Sequence, residues 1–407
     1  MKQINGGVTA VRGFYAAGVF AGLKKNGKND MALVYSDADA TTAGVFTTNV
    51  VKAAPVKRDI EIIKNKETAR AVVLNAGNAN ACTGEAGMKA NEAMAESAAQ
   101  ALGVKADDVL TCSTGVIGQL LPTDIVVKGT KMLVQKKDAS LEAGTKAAEA
   151  IMTTDTYKKE CAVEFTIDGK TVTLGAMTKG SGMIHPNMAT MLCVAVTDLS
   201  ISKELLQEAV STVVKDSFNM ISVDRDTSTN DSYMILASGK AGNAKITEKN
   251  SDYDTFVEAL SYVSVYLAKK MAADGEGCSK LIEAKVVNAA SKEEAKVLAK
   301  SIITSNLVKA AVFGSDANWG RIFCAMGYSG VSFNPDTVDL YVESKAGKLK
   351  LVENGLATDY SEEFATEILK GKEVTATADM KAGNAEATAW GCDLTYDYVK
   401  INGDYRS

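Results

Sequence analysis

The chain has 407 residues, 46% hydrophobic and 23% charged, with a formal net charge of −5. Those totals describe a globular protein long enough to bury a large apolar core without disulfide staples. The acidic balance argues against a nucleic-acid or anionic-membrane partner held by bulk electrostatics, and no apolar run is long enough to span a bilayer.

The N-terminal segment is apolar but broken by glycines and charges, so it does not read as a signal peptide. The segments "DMALVYSD" (30–37) and "RAVVLNAGNAN" (70–80) read as buried strands running into glycine-rich turns. "NEAMAESAAQALG" (91–103) is an Ala-rich helix stopped by Gly103. Residues 164–177 form a hairpin, with Asp168 and Gly169 supplying the positive φ angles of a type I′ turn. "TMLCVAVTD" (190–198) has the pattern of a central strand, and Ser202 caps the helix after it. Phe256, Leu260, Val263 and Leu267 line one face of a further helix, and 281–289 alternates as a strand. Ser291 and Glu294 are spaced as a capping box for a helix through Ile302. Strands "VDLYVES", "KEVTATADM" and "AEATAWGCD" follow, beside the helix "SEEFATEILKG". Strands and helices mixed without strict alternation argue for an α+β layered architecture.

The inventory of reactive groups narrows the chemistry. Cys82, Cys112, Cys161, Cys193, Cys278, Cys324 and Cys392 are scattered and form no C-x-x-C pair, which suits reduced thiols in a cytoplasmic protein. His185 is the one histidine, so a metal site or a Ser-His-Asp triad has little material. No Walker or dinucleotide fingerprint is present. The turns "NAGNANACTG" (75–84) and "STGVIGQ" (113–119), and the polar loops 224–231 and 314–321, read first as structural. Gly115 at a strand end also lets backbone N–H groups converge on an oxyanion.

A hydroxyl nucleophile needs a base, and the α-amine of an N-terminal threonine is one solution. In "KGSGMIHPNMATML" (179–192), cutting the Ala189–Thr190 bond would create such a residue. By pattern alone an ordinary loop-to-strand junction is the stronger reading.

The block 179–192 closely resembles the K-G-x-G-M-I-x-P-N-M-A-T-M-L signature of ornithine acetyltransferases, also called glutamate N-acetyltransferases, of arginine biosynthesis. "NAGNANACTG", "CSTGVIG", "AIMTTDT", "DTSTND", "DGEGCSK", "VFGSDANWGRI" and the terminal "INGDYRS" agree in order, so the resemblance spans essentially the whole chain. It implies an α/β/β/α sandwich of the self-processing threonine-nucleophile type with an additional C-terminal α/β portion. It implies autocleavage between Ala189 and Thr190 into chains 1–189 and 190–407, with 190–280 completing the catalytic core and 281–407 forming the C-terminal portion. These chains are expected to stay together and to pair as an α2β2 heterotetramer.

The implied activity is ping-pong transfer of acetyl from N2-acetylornithine to L-glutamate through an acetyl ester on Thr190. Thr114 and Gly115 fall on the family's oxyanion hole. Thr153, Lys179, Thr190, Glu276, Asn402 and Ser407 fall on its substrate contacts. No cofactor or metal is implied; acetyl-coenzyme A is a second acetyl donor in some family members, and no residue here decides that point. His185 occupies a variable position of the signature and is expected to be a turn residue rather than the base. The alternatives are a self-processing amidohydrolase or aminopeptidase of the same nucleophile type, and a non-enzymatic protein that keeps the amino-acid pocket.

Overall fold

A computed structural model of the chain describes residues 1–185 and 191–404. Two compact units emerge: 1–180 with 186–219 and 227–267, and 181–185 with 220–226 and 268–407.

The first unit is built on a nine-stranded mixed sheet. Its order is Lys2–Ile4, Lys159–Ile167, Lys170–Lys179, Leu192–Thr197, Ser232–Ala237, Met31–Phe46, Thr68–Asn78, Val109–Val116, with Phe14–Val19 added beside Met31–Phe46. Two adjacent pairs are parallel: Leu192–Thr197 with Ser232–Ala237, and Thr68–Asn78 with Val109–Val116. Both faces are covered, and the period-2 alternation of strands decides which residue faces which layer. Met31, Leu33, Ala71 and Val73 pack with Met94, Ala98, Val126 and Leu133 of helices Gly84–Leu102 and Thr123–Lys136. Their sequence neighbours Ala32, Val34, Val72 and Leu74 join a second cluster with Val194, Val196, Met234 and Ile62.

The local readings hold at their chemically marked ends. Asp168 and Gly169 have φ of +48° and +67°, as the type I′ hairpin turn between Lys159–Ile167 and Lys170–Lys179 requires. Gly103 ends its helix in the left-handed region at φ 71°. The helix itself starts earlier than the Ala-rich run suggested, at Gly84, with Gly87 and Ala90 extending its buried face. Ser202 accepts the Leu205 N–H at 3.4 Å. Leu192–Thr197 is an interior strand with every residue buried.

The second unit carries a seven-stranded sheet, ordered Leu356–Ala357, Gly347–Glu353, Asp339–Ser344, Glu373–Asp379, Leu281–Ala289, Ala385–Cys392, Ile221–Ser222. Helix Lys292–Thr304 begins at a Ser291 cap, its hydroxyl accepting the Glu294 N–H at 3.2 Å, and buries Leu298, Ile302 and Ile303. It runs two residues past the expected end at Ile302. The chain is therefore α+β, as its pattern indicated. Among the described residues no helix is long and apolar enough to cross a membrane.

Candidate active site

The turn after Val109–Val116 is shaped by what cannot fit. Gly115 lies opposite Gly77 of the parallel strand and has φ +135°. A Cβ there would collide with the backbone of Gly77 and Asn78, so the chain needs both a glycine's φ range and its missing side chain.

Asparagines hold this turn. Ser113 Oγ donates to Asn75 Oδ1 at 2.6 Å, and the Asn75 amide donates to Asn78 O at 2.9 Å. Asn230 donates to both Ala79 O (2.6 Å) and Ser113 O (2.7 Å). The blocks "NAGNANACTG", "CSTGVIG" and "DTSTND" are thus knitted into one buried polar network. A carboxamide can satisfy two buried carbonyls that an apolar residue would leave unpaired.

Beside the turn sits a cationic cluster. Lys179, 8% exposed, ends the strand Lys170–Lys179. Its Nζ donates to Thr153 Oγ1 at 2.7 Å and to Thr114 Oγ1 at 3.3 Å. Asp155 lies behind it, with Oδ2 4.0 Å from the Lys179 ammonium. Asp155 also accepts from Lys159 Nζ at 2.7 Å, from the Gly180 N–H at 2.7 Å and from the Thr153 N–H at 3.0 Å. Burial alone would raise this carboxyl. The Lys179 and Lys159 charges, with the Lys159 and Gly180 hydrogen bonds, outweigh it and hold Asp155 down at about 2. Lys24 is lowered to about 8, chiefly by burial, with Asp30 opposing and the Lys179 charge adding to the effect.

In the second unit Glu276 is 7% exposed and accepts from Asn402 Nδ2 at 2.8 Å. Its backbone N–H donates to Ser181 O at 2.9 Å. Gly182 leaves the room the carboxylate occupies, since a Cβ there would overlap it. Met183 and Ile184 N–H groups donate to the Asp224 carboxylate at 2.7 and 2.8 Å, which fixes the chain leading to His185. His185 Nδ1 lies 3.1 Å from Ser222 Oγ. Burial, then the Lys300 and Arg225 charges, push its imidazole down to about 4. It is neutral at pH 7 and tied to a serine.

Thr114, Thr153 and Lys179 of the expected set are therefore gathered into one hydrogen-bonded cluster, beside Gly115. Glu276 and Asn402 form a second pair. Ala189, Thr190 and Ser407 lie outside the described residues. Sequence reading passed over Asp155, Lys159 and Asn230. Asp155 sits two residues after Thr153 in "AIMTTDT", and the lysine pair 158–159 just after it was the available signal.

A model of the ArgJ family matches residues 15–407. The chain belongs to the ArgJ family. The arginine biosynthesis bifunctional protein ArgJ of Caldanaerobacter subterraneus subsp. tengcongensis is 51% identical over 407 residues, 100% of both chains. ArgJ 1 of Clostridium acetobutylicum is 53% identical over 406 residues, 99% of this chain and 98% of its own. A solved ornithine acetyltransferase of Mycobacterium tuberculosis, complexed with ornithine, is 43% identical and covers 47% of this chain and 99% of its own, with a TM-score of 0.43. The ArgJ match takes in Thr114, Gly115, Thr153, Lys179, Glu276 and Asn402, as well as residues 189, 190 and 407.

Proposed function

We propose that the chain is a glutamate N-acetyltransferase that moves the acetyl group of N2-acetylornithine to L-glutamate through an ester on Thr190. The observation that carries this reading is the cluster in which one buried ammonium bonds the hydroxyls of Thr153 and Thr114 next to the Gly115 turn. A cation and polar donors preassembled in a mostly buried setting suit a substrate carboxylate and a developing oxyanion.

Residue 190 becomes a nucleophile with its own base when the Ala189–Thr190 bond is cut. The Thr190 hydroxyl attacks the Ala189 carbonyl, the acyl group shifts from nitrogen to oxygen, and water hydrolyses the ester. The freed α-amine, ordinarily titrating at about 7.7–8.0, then takes the hydroxyl proton during attack on the acetyl group. Thr114 Oγ1 and the Gly115 N–H stabilise the tetrahedral oxygen, at about 3–4 kcal/mol for each such donor. Ornithine leaves, glutamate enters, and its amine takes the acetyl group from the threonine. Lys179 receives a substrate carboxylate. Glu276 receives an ammonium, since a carboxylate has acceptor capacity beyond the one bond from Asn402. Thr153, Asn402 and Ser407 complete the polar pairing.

The same reading makes the cleaved pieces 1–189 and 190–407 partners that pair as α2β2 in the cytoplasm, without metal or cofactor. The word bifunctional in the relatives' names supports acetyl-coenzyme A as a second acetyl donor.

Intact mass with N-terminal sequencing tests the cleavage, and acetylornithine with and without glutamate tests the transfer. Two fragments, the second starting at Thr190, and turnover that needs glutamate are expected. Equal acetate release without glutamate would instead identify a hydrolase.

A further inference from the structure

The sheet order of the first unit ends at the strand Val109–Val116, so one side of that strand has no further strand to pair with. In a strand the N–H and C=O of one residue point the same way, and successive residues point to opposite sides. Side chains close this edge. Arg58 donates to Val109 O at 2.7 Å, the Asp59 carboxylate accepts the Thr111 N–H at 2.9 Å, and Asn230 Nδ2 donates to Ser113 O at 2.7 Å. Gly115 is next in that series, and the alternation turns its N–H to the same edge. A neighbouring strand would draw that N–H into its ladder, whereas separate side chains need not.

Asn230 is 5% exposed, and its second amide bond goes to Ala79 O at 2.6 Å. Its Oδ1 accepts the Thr229 hydroxyl at 2.6 Å, so the carboxamide has one orientation that satisfies all three partners. Ala79 in turn donates its N–H to Val116 O at 3.0 Å. Residue 79 therefore holds the turn at Val116 directly and at Ser113 through Asn230, with Thr114 and Gly115 between the two ties. The Ser113 carbonyl shares its peptide plane with the Thr114 nitrogen, so a bond on that oxygen fixes the plane from which both donors project. We propose that Asn230 is a positioning residue for the Thr114–Gly115 pair, aiming the Thr114 hydroxyl and the Gly115 N–H at one oxygen of the reacting acetyl group. This inference rests on the function proposed above, in which those two groups stabilise the tetrahedral oxygen. Asn230 acts through the backbone of the turn, and its effect is expected in the transition state rather than in substrate binding.

The test uses Asn230→Asp, which keeps the shape but loses the paired donors, and Asn230→Ala, which decides the matter if the aspartate variant does not fold. Arg58→Ala is the comparator, since it opens the same edge at Val109. Rates are taken per folded, cleaved molecule. Both Asn230 variants should lower kcat about 100-fold while KM for acetylornithine moves less than about 3-fold. Arg58→Ala should lower the melting temperature and keep kcat within about 3-fold of wild type. A crystal structure of Asn230→Ala should show the backbone at 113–116 displaced by about 0.5–1 Å, and it decides the matter for a variant that stays uncleaved. Wild-type kcat in a folded Asn230 variant, an equal loss of kcat in Arg58→Ala, or an undisplaced turn overturns the proposal. A wild type that moves no acetyl from acetylornithine to glutamate overturns the functional reading instead, while the crystal structure still judges Asn230.

Discussion

The Lys179 ammonium donates a 2.7 Å hydrogen bond to the Thr153 hydroxyl, from 26 residues further along the chain. The pairing follows from the strand that ends at Lys179 and from Asp155, which takes the Thr153 N–H and the Gly180 N–H onto one carboxylate. Lys179→Met should remove about 2–3 kcal/mol of charge-assisted bonding, so kcat/KM for acetylornithine falls about 100-fold. Lys179→Arg should not restore it, because a planar fork cannot replace a point charge between two hydroxyls. Steady-state kinetics on both variants decide the matter.

Asp155 carries a stability signature. Its folded value near 2 lies below the ordinary 3.8, so its contribution is present above about pH 4 and is lost as pH falls towards 2. The shift corresponds to about 2 kcal/mol. Asp155→Asn leaves Lys159, whose side chain is 0% exposed, without its carboxylate and should cost about 3–5 kcal/mol at neutral pH. Urea unfolding at pH 7 and pH 3 measures both effects. A variant as stable as wild type at pH 7 would contradict them.

Gly115→Ala combines a strained φ of +135° with a collision against Gly77 and Asn78. Together these should cost about 2–5 kcal/mol and displace the Gly115 N–H from the proposed oxyanion position. Loss of turnover should therefore exceed what a fall in folded fraction explains, as thermal melts run beside the assay would reveal.

Glu276→Gln keeps the shape and one acceptor for Asn402 but removes the charge assigned to the substrate ammonium. Acetylornithine use should fall by about 10-fold or more, with acetylglutamate formation less affected. Equal losses in both half-reactions, measured separately, would reverse the assignment of Lys179 and Glu276 to the two ends of the substrate.

His185→Ala should leave cleavage and turnover near wild type, since the imidazole is neutral at pH 7 and bonded to Ser222. The histidine's folded value of about 4 lies below the ordinary 6.5, so the unfolded chain binds its proton first. That penalty is absent above about pH 6.5 and grows as pH falls towards 4, and the variant should escape it. Melting temperatures of the two proteins should differ least above pH 7 and diverge below pH 6.

The α+β class, the hairpin turn at Asp168–Gly169, the Gly103 stop and the Ser202 and Ser291 caps were all legible along the chain. Each depends on residues within a few positions of one another: a left-handed φ that glycine or asparagine accepts, or a hydroxyl aimed at the next turn's N–H. The family blocks were legible for the same reason, as short contiguous strings. What the strings do to one another was not. Asn230 was one letter in a polar loop until folding laid it against Ala79 and Ser113. Asp155 was another, inside "AIMTTDT", until folding set its carboxylate against the Gly180 N–H and the Lys179 ammonium. Sequence determines which chemical groups are available and where the chain turns. Only tertiary packing decides which groups lose water together, and the loss of water turns an ordinary aspartate or lysine into one with a perturbed charge.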